Sequence, residues 1–366
     1  MKKYYSIFLS GFFLISLNMF FLNGYGQKKE TEPDSLLLNK KDDNKGYFRI
    51  MFYNVENLFD TENDPIKNDD EFLPEGARHW TPDKYKEKLK NIAKVIVAVG
   101  GWNPPAVVGL CEIENRKVLE DLTKKTPLSE LKYSIIHYES PDFRGIDVAM
   151  LYRKEEFKPV YSRPIPLNFE DGRKSRDILY VKGITSKNDT LHIFVNHWPS
   201  KYGGAMETEP KRYFTAEVIK KTCDSIFNSN LYANIIIMGD LNDTPEDVSV
   251  REKLKAHTSY HYFASTELYN LTYNTHYKYG LGSHKYQGEW SLIDNIIVSG
   301  ALLNKKNKIY TTVEDAKVFN APFLLKKDER NVGFQPFRTY MGFTYQGGFA
   351  DHLPVFLDLR TTGAEN

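Results

Sequence analysis

The chain has 366 residues, of which 41% are hydrophobic and 27% are charged, as is usual for a soluble globular protein. That length is sufficient for one large α/β domain or two small ones. The 49 basic and 48 acidic residues nearly cancel, which excludes a protein that holds long nucleic acid through bulk positive charge. Any contact with nucleic acid must therefore come from a local patch.

The first 46 residues carry a targeting pattern rather than a fold. Lys2 and Lys3 precede an apolar stretch over residues 7–22, and small residues stand just before Gln27. This stretch is shorter than the roughly 20 residues of a membrane-spanning helix, so it predicts a cleaved signal peptide over residues 1–26, with an uncleaved anchor as the alternative. Residues 27–46 are rich in charge and predict a flexible linker. We therefore expect an exported protein, periplasmic, secreted or associated with the outer envelope, with no stable membrane insertion after cleavage.

From residue 47 onward, apolar strands alternate with a few helices. A β-rich run begins at Tyr47, and Thr81 followed by Pro82 begins an amphipathic helix. Further apolar runs predict strands over residues 106–111, 147–152, 191–195, 235–238, 291–298 and 354–357. Many strands with few long helices favour an α/β fold in which two sheets pack together with helices outside. We expect one domain over residues 47–360 and a tail over residues 361–366.

Polar side chains stand at the ends of these apolar runs: Asn54, Glu112, His197, Asp240, Asn242, Asp294, Asp351 and His352. A single Asp or Asn at a strand end is more often a turn or cap residue, but so many together exceed any capping need. Strand ends are where sites assemble in open α/β sheets, so the set indicates a metal-assisted hydrolase of phosphate esters. Glu112 is the best candidate for a metal ligand. His352 is the best candidate to accept the proton of an attacking water.

Six short motifs follow one another along the chain. They are Phe52-Tyr53-Asn54-Val55-Glu56-Asn57, Leu110-Cys111-Glu112, Asn196-His197-Trp198, Gly239-Asp240-Leu241-Asn242, Ile293-Asp294-Asn295-Ile296 and Asp351-His352. In this order the chain resembles the endonuclease/exonuclease/phosphatase superfamily, of which deoxyribonuclease I is the familiar example, and looks closest to its secreted bacterial nucleases. The resemblance covers residues 50–358 and implies a four-layered sandwich of two packed mixed β-sheets flanked by helices.

The resemblance also implies a metal site and a proton acceptor. It implies that Asn54 and Asp351 join Glu112 in binding Mg²⁺, with Mn²⁺ or Ca²⁺ as alternatives. It implies further that the Asp294 carboxylate fixes the tautomer and orientation of His352. One departure is Cys111, which stands where the family often has Gln before the metal-binding Glu.

The remaining motif residues are expected around the phosphate. The resemblance implies that Asp240 positions the water or assists the leaving group, that Asn242 donates to the phosphate, and that His197 contacts the phosphate. Arg153, or Arg144 beside Asp147, also carries a charge that suits phosphate, although a solvated surface position accounts for either arginine equally well.

The two cysteines, Cys111 and Cys223, lie in a predicted strand and a predicted helix, far apart in the sequence. Export permits a disulfide, but burial as small apolar side chains is the better interpretation.

Three function classes remain. The sequence favours an exported endonuclease that cuts DNA or RNA, working as a monomer on a nucleic-acid substrate. The alternative is a phosphodiesterase or phosphatase that acts on lipid, sugar or nucleotide phosphates. A binding module without catalysis is disfavoured, because every acid, base and ligand position is filled.

Overall fold

The computed structural model describes residues 47–361. The predicted signal peptide, the predicted linker and the last five residues of the chain lie outside the described residues. Within the described range, the α-helices are α1 (Pro82–Gly100), α2 (Arg116–Lys124), α3 (Ala205–Ser229) and α4 (Thr272–Tyr279). Thr81 caps α1 through its side chain and Pro82 is the first helical residue, as the sequence predicts.

The strands of the first half are β1 (Phe48–Leu58), β2 (Val107–Ile113), β3 (Tyr133–His137), β4 (Asp147–Arg153), β5 (Phe157–Ile165), β6 (Ile178–Thr185) and β7 (Thr190–His197). The next strands along the chain are β8 (Asn234–Asp240), β9 (Ala256–His257), β10 (Leu268–Asn270), β11 (His284–Tyr286), β12 (Glu289–Ser291) and β13 (Asp294–Ser299). The last strands are β14 (Ile309–Tyr310), β15 (Ala316–Val318), β16 (Leu325–Lys327), β17 (Phe334–Pro336), β18 (Tyr340–Met341), β19 (Thr344–Tyr345) and β20 (Val355–Thr361).

Two mixed sheets form the centre of the fold. The first sheet has the strand order β14-β20-β1-β2-β4-β3, and β15 also pairs with β20. Its central pair, β1 and β2, is parallel. The second sheet has the order β5-β6-β7-β8-β13-β10-β9, and its central pair, β7 and β8, is also parallel.

The sheets pack face to face, with helices on their outer faces. Val195 and Met238 of the second sheet pack against the first, and a Cβ added at Gly109 would lie 2.7 Å from the Met238 methyl carbon. Successive residues in a strand point to opposite faces, so Ile235 and Ile237 instead pack against α3. The residues of α1 and α2 belong to the core of the first sheet. This arrangement confirms the predicted four-layered sandwich.

Both cysteines are buried and free. Cys111 lies in the core of the first sheet, and Cys223 lies in the cluster between α3 and the second sheet. Their interpretation as small apolar side chains is therefore confirmed. Among the helices within residues 47–361, none combines the length and apolar character needed to cross a membrane.

Candidate functional site

The candidate site lies where the parallel pairs β1–β2 and β7–β8 end, which we call the site edge. His197, the last residue of β7, pairs with Asp240, the last residue of β8, and Asp240 pairs with Asp294 at the start of the antiparallel β13. Asn54 and Glu112 come from the facing sheet, and Asn54 donates a hydrogen bond to Asp240 at 3.0 Å. The structure therefore brings Asn54 and Asp240, which are 186 positions apart in the sequence, into direct contact.

Irregular backbone at the site edge sets the direction of Glu112. The pairing of β1 with β2 shifts register after Asn54, and Glu56, Asn57 and Glu112 all have positive φ angles, of 53°, 54° and 61°. Such angles are uncommon for residues other than glycine and are maintained by surrounding contacts. Here the bulge directs the Asn57 backbone N–H to Glu112 Oε2 at 2.8 Å. The sequence predicts Glu112 as a strand end, whereas β2 continues one residue beyond it.

Asn54 is oriented as a hydrogen-bond donor, and its role as a metal ligand stays a prediction. Its amide oxygen accepts the Glu56 backbone N–H at 3.0 Å, which fixes the orientation of the amide. Its amide nitrogen therefore faces Glu112 Oε1 at 3.2 Å and Asp240 Oδ2 at 3.0 Å. In this orientation Asn54 holds the two carboxylates in place.

His352 and Asp294 form the predicted pair. His352 Nδ1 lies 2.7 Å from Asp294 Oδ2, and both side chains are buried. An ionised carboxylate only accepts hydrogen bonds, so a neutral His352 carries its proton on Nδ1 and leaves Nε2 open. Nε2 lies 3.8 Å from Asp240 Oδ2. That distance is too long for a direct hydrogen bond and leaves room for a small group that contacts both atoms.

The surroundings of His352 and Asp240 shift both pKa values upward. Burial alone would lower the pKa of His352, but the negative charges of Asp294 and Asp240 outweigh it and hold that pKa well above its usual range. Burial raises the pKa of Asp240 to about 7 despite the opposing charge of His352, and Asp294 adds to the rise. The pair therefore holds protons more tightly than isolated side chains would.

His197 completes the group from the second sheet. Its Nε2 lies 3.9 Å from Glu112 Oε1 and 3.8 Å from Asp240 Oδ2. Burial lowers the pKa of His197 well below its usual range, and the positive charges of Arg176 and Arg144 lower it further. His197 is therefore neutral at physiological pH and can exchange hydrogen bonds with a phosphate oxygen without a charge of its own.

Asn242 and Arg176 converge on one carbonyl group beside His197. Asn242 Nδ2 donates to the Trp198 carbonyl oxygen at 3.0 Å, and Arg176 Nη2 donates to the same oxygen at 2.7 Å. The Asn242 amide has a second N–H, so its predicted contact with phosphate stays a prediction. Arg176 also pairs with Asp142 at 3.2 Å and is buried. Sequence reasoning missed Arg176, because a single arginine in the loop before β6 carries no motif.

The prediction that Arg153 binds phosphate is wrong. Strand β4 runs antiparallel to β2, so Asp147 pairs with Ile113 at the site edge while Tyr152 pairs with Val107 at the other end. Arg153 therefore lies at the opposite edge, where it contacts the Pro104 carbonyl oxygen. Arg144, in the loop before β4, lies near His197 and has a half-exposed side chain. Arg144, rather than Arg153, therefore places a positive charge near the site edge.

Asp351 is paired with a cation that the sequence analysis did not identify. Arg338 Nη2 donates to Asp351 Oδ2 at 2.7 Å, and Arg338 Nε lies 3.3 Å from Glu56 Oε1. Burial opposes the shift, but the charge of Arg338 lowers the pKa of Asp351 to about 2. One oxygen of Asp351 is therefore occupied by Arg338, and the role of Asp351 as a metal ligand stays a prediction. Arg338 lies between the short strands β17 and β18, where no periodicity marks it.

Acidic and histidine side chains at the site edge could hold a divalent cation. Glu112 Oε1 and Asp240 Oδ2 have the same two neighbours, Asn54 Nδ2 and His197 Nε2, and therefore face one small region between the sheets. Asp240, Asp294 and His352 also bring ligand atoms within 4.8 Å of one another. Divalent cations such as Mg²⁺ prefer carboxylate oxygens. A cation there would favour the ionised form of Asp240, whose pKa is raised by burial and by the charge of Asp294.

Several solved structures share this fold. A humanized D. rerio TDP2 has a TM-score of 0.54 and 13% identity, over 86% of this chain and 99% of that chain. The human Nocturnin catalytic domain, with a bound sulfate anion, has a TM-score of 0.52 and 16% identity, over 86% of this chain and 95% of that chain. An endonuclease/exonuclease/phosphatase family protein from Bacteroides thetaiotaomicron has a TM-score of 0.52 and 14% identity over 86% and 99%. These likenesses show the fold.

None of the curated protein sequences compared with the chain matches it significantly. The sequence model of the Endonuclease/Exonuclease/phosphatase family, whose named activities all hydrolyse phosphoesters, matches residues 49–361. This match spans both sheets and every strand-end residue of the site edge. The chain therefore belongs to the endonuclease/exonuclease/phosphatase family.

Proposed function

We propose that this protein is an exported, divalent-metal-dependent endonuclease that hydrolyses phosphodiester bonds of DNA or RNA. The observation that carries the proposal is the buried Asp294–His352 pair, whose open Nε2 faces Asp240 and lies on the same edge as Glu112. This arrangement supplies a proton acceptor beside a pair of carboxylates that suit Mg²⁺, or alternatively Mn²⁺ or Ca²⁺.

In the proposed mechanism, His352 activates the water. Asp294 holds the proton on Nδ1, so Nε2 accepts the proton of a water placed between Nε2 and Asp240 Oδ2. The imidazolium that results is stabilised by the same Asp294 carboxylate. A divalent cation, when bound, neutralises charge on the phosphate and stabilises the departing oxygen.

The phosphate itself is expected on the side of the second sheet. His197 and the free N–H of Asn242 can donate to its non-bridging oxygens, and the fixed positive charge of Arg176 lies directly behind them. Donors and charges held in place before the reaction stabilise the transition state without reorganisation. Arg144 is the more exposed cation and is placed to reach a neighbouring phosphate of a longer substrate.

Exposed aromatic side chains at the site edge favour nucleic acid among phosphodiesters. Phe143 lies beside Arg144 in the loop before β4, and Tyr202 lies beside Lys201 in the loop after β7; their exposed fractions are 64% and 93%. Aromatic rings next to cations are typical of surfaces that stack unpaired bases and hold the backbone. D. rerio TDP2, a structural neighbour at 14% identity with a TM-score of 0.52, was crystallised with a single-strand DNA product.

The substrate class can be tested with paired variants. We expect the purified protein to cleave DNA or RNA in the presence of Mg²⁺ and to lose activity in excess chelator or as His352→Ala. Phe143→Ala and Tyr202→Ala should each raise KM for a single-stranded oligonucleotide about 10-fold, because a stacked base contributes about 1–3 kcal/mol. Their kcat on bis(p-nitrophenyl) phosphate should be unchanged.

The matched controls are Trp102→Ala and Tyr232→Ala. These aromatics are also highly exposed but follow α1 and α3 at the opposite edge, so KM should not change. Turnover of sphingomyelin or of sugar and nucleotide phosphates without cleavage of nucleic acid would reject the nuclease and support the alternative phosphodiesterase or phosphatase.

Export is a separate part of the proposal. It rests on the N-terminal sequence pattern, and fractionation of the producing cell should find the protein outside the cytoplasm with an N-terminus near Gln27. A cytoplasmic protein that retains Met1 would reject export while leaving the proposed chemistry intact.

A further inference from the structure

An acidic pair, Glu56 and Asp351, lies next to the metal-binding candidates at the site edge. Glu56 is buried within the β1 bulge, and the partly exposed Asp351 directly precedes His352. A single guanidinium spans both carboxylates: Arg338 Nη2 lies 2.7 Å from Asp351 Oδ2, and Nε lies 3.3 Å from Glu56 Oε1. Buried carboxylates are costly unless a cation compensates them. Arg338 is in contact with both carboxylates here, and the charge of the buried Lys88 adds to the compensation.

The position of Arg338 is fixed by its neighbours. The Thr339 backbone N–H donates to Glu56 Oε2 at 2.7 Å, so the carboxylate that binds the guanidinium also holds the chain beside it. From the other side, the buried Lys88 of α1 donates to Thr339 Oγ1 at 2.5 Å and to the Phe349 carbonyl oxygen at 2.6 Å. Arg338 is therefore held by the first strand, the first helix and the segment before His352.

The surroundings of Asp351 would suit a metal ion if Arg338 were absent. His284, Asp351 and His352 bring ligand atoms within 4.8 Å of one another. The rings of His284 and His352 lie side by side, with centroids 4.7 Å apart. This pocket would offer one carboxylate and two imidazole rings, which are both ligand types of divalent metal ions. The Arg338 side chain is 32% exposed, so the pocket opens to the cleft.

We propose that Arg338 is a built-in cation that takes the place of a second metal ion, so that the site binds a single divalent cation. The inference rests on the divalent-cation site of the proposed function. A guanidinium keeps its charge at every physiological pH, and its planar fork matches two carboxylates. It therefore neutralises Glu56 and Asp351 permanently, whereas a bound ion would exchange with solvent. The cation beside Glu112 and Asp240 is then the exchangeable one of these two positions.

The number of Mn²⁺ ions bound per chain tests this inference without any activity measurement. We expect equilibrium dialysis, with free Mn²⁺ followed by its paramagnetic resonance signal, to give one ion per wild-type chain. Arg338→Met should bind two ions, because it removes the cation that contacts both carboxylates and leaves their oxygens open in a pocket with histidine ligands. Arg338→Lys, which retains a cation, should bind one. The double variant Arg338→Met, Asp351→Asn should also return to one, since it removes a ligand of the new site.

Arg360→Met is the matched control. Arg360 also forms two hydrogen bonds to a carboxylate, that of Asp315, but near the end of β20 away from the site edge. This variant should bind one ion. If Arg338→Met is poorly folded without metal, its melting temperature should recover on addition of Mn²⁺ by more than that of Arg338→Lys, and the absence of such a difference would count against the inference.

The outcomes separate this inference from the proposed function. Two ions of similar affinity on the wild-type chain, or one ion on Arg338→Met, would overturn the role of Arg338 while leaving the metal-dependent nuclease intact. A wild-type chain that binds no Mn²⁺ would overturn the metal site of the proposed function, and the inference with it.

Discussion

The pairing of His352 with Asp294 makes a prediction about the pH dependence of catalysis. Because His352 must be neutral to accept a proton, the rate should rise with pH through the ionisation of its imidazole. Asp294 raises the pKa of His352, although burial opposes that shift. Replacing Asp294 by Asn removes the negative charge with little change in shape. The pKa of His352 should therefore fall, and the rising limb of the pH–rate profile should move to lower pH.

The distance between His352 and Asp294 sets the size of the expected pKa shift. His352 Nδ1 and Asp294 Oδ2 are 2.7 Å apart in a buried pair. Two unit charges about 4 Å apart interact by about 4 kcal/mol at an effective dielectric constant of about 20, which corresponds to about three pKa units. The Asp240 carboxylate, 3.8 Å from Nε2, remains in place and retains part of the effect. We therefore expect a shift of about one to three units.

The maximal rate of the Asp294→Asn variant should fall as well. In half of its possible orientations, the new side-chain amide presents its N–H₂ group to Nδ1 of His352, which selects the tautomer that carries the proton on Nε2. That tautomer cannot accept a proton from water, and losses of this kind reach about 10²- to 10⁴-fold.

Profiles of kcat/KM against pH, from about pH 5 to 9 with bis(p-nitrophenyl) phosphate and constant Mg²⁺, measure both effects. His192→Gln is the control, because His192 is a second buried histidine with a hydrogen-bonded Nδ1 that lies near the other end of β7. Its limb should coincide with the wild-type limb. An Asp294→Asn limb at the wild-type pH, or a double variant with His352→Ala in which the losses multiply, would refute the pairing.

Three further predictions concern the metal and the fold. Glu112→Gln should lower kcat/KM at least about 10²-fold while its melting temperature stays close to that of the wild type, and a full loss of folding would contradict its role as a ligand. The metal-free protein should lose stability as the pH rises from about 4, the usual Asp pKa, because Asp240 and His352 both have raised pKa values and bind protons more tightly when folded. Mg²⁺ at about 100 times its Kd should raise the melting temperature by about 5 °C at pH 8. The rise should be much smaller at pH 5, because protonated Asp240 binds the ion poorly. An equal rise at both pH values would argue against the carboxylate ligands. Arg49→Met should destabilise the fold by about 3–5 kcal/mol in urea unfolding, because it leaves the buried Asp358 carboxylate without its two hydrogen bonds from Arg49, and adding Asp358→Leu should restore most of the loss.

The sequence predicts the parts of the site that belong to regular strands. His197 and Asp240 end buried strands, and Asp294 begins one, so a run of apolar residues marks each of them. Their meeting at one edge follows from the parallel pairing of β7 with β8 and the antiparallel pairing of β8 with β13. The four-layered sandwich is predictable for the same reason, because alternating apolar faces require partners on both sides.

Sequence reasoning fails where strand direction or an irregular segment decides the position. Arg153 follows an apolar run just as Glu112 does, but β4 is antiparallel to β2 and carries Arg153 to the other edge. Arg176 and Arg338 lie in segments without periodicity, and only contacts with residues distant in the sequence place them. A single sequence does not reveal such contacts.

The irregular backbone of β1 connects the site residues that end regular strands with those that lie in irregular segments. A regular strand would continue the pairing that ends at Asn54 and Cys111, and its next side chains would point alternately to the two faces of the sheet. The positive φ angles of Glu56 and Asn57 interrupt that alternation. As a result, Asn57 donates to Glu112 on one side, while Glu56 binds Arg338 and Thr339 on the other. The same bulge therefore positions the candidate metal ligand and the cation beside it, and the backbone strain lies where both charges must be held.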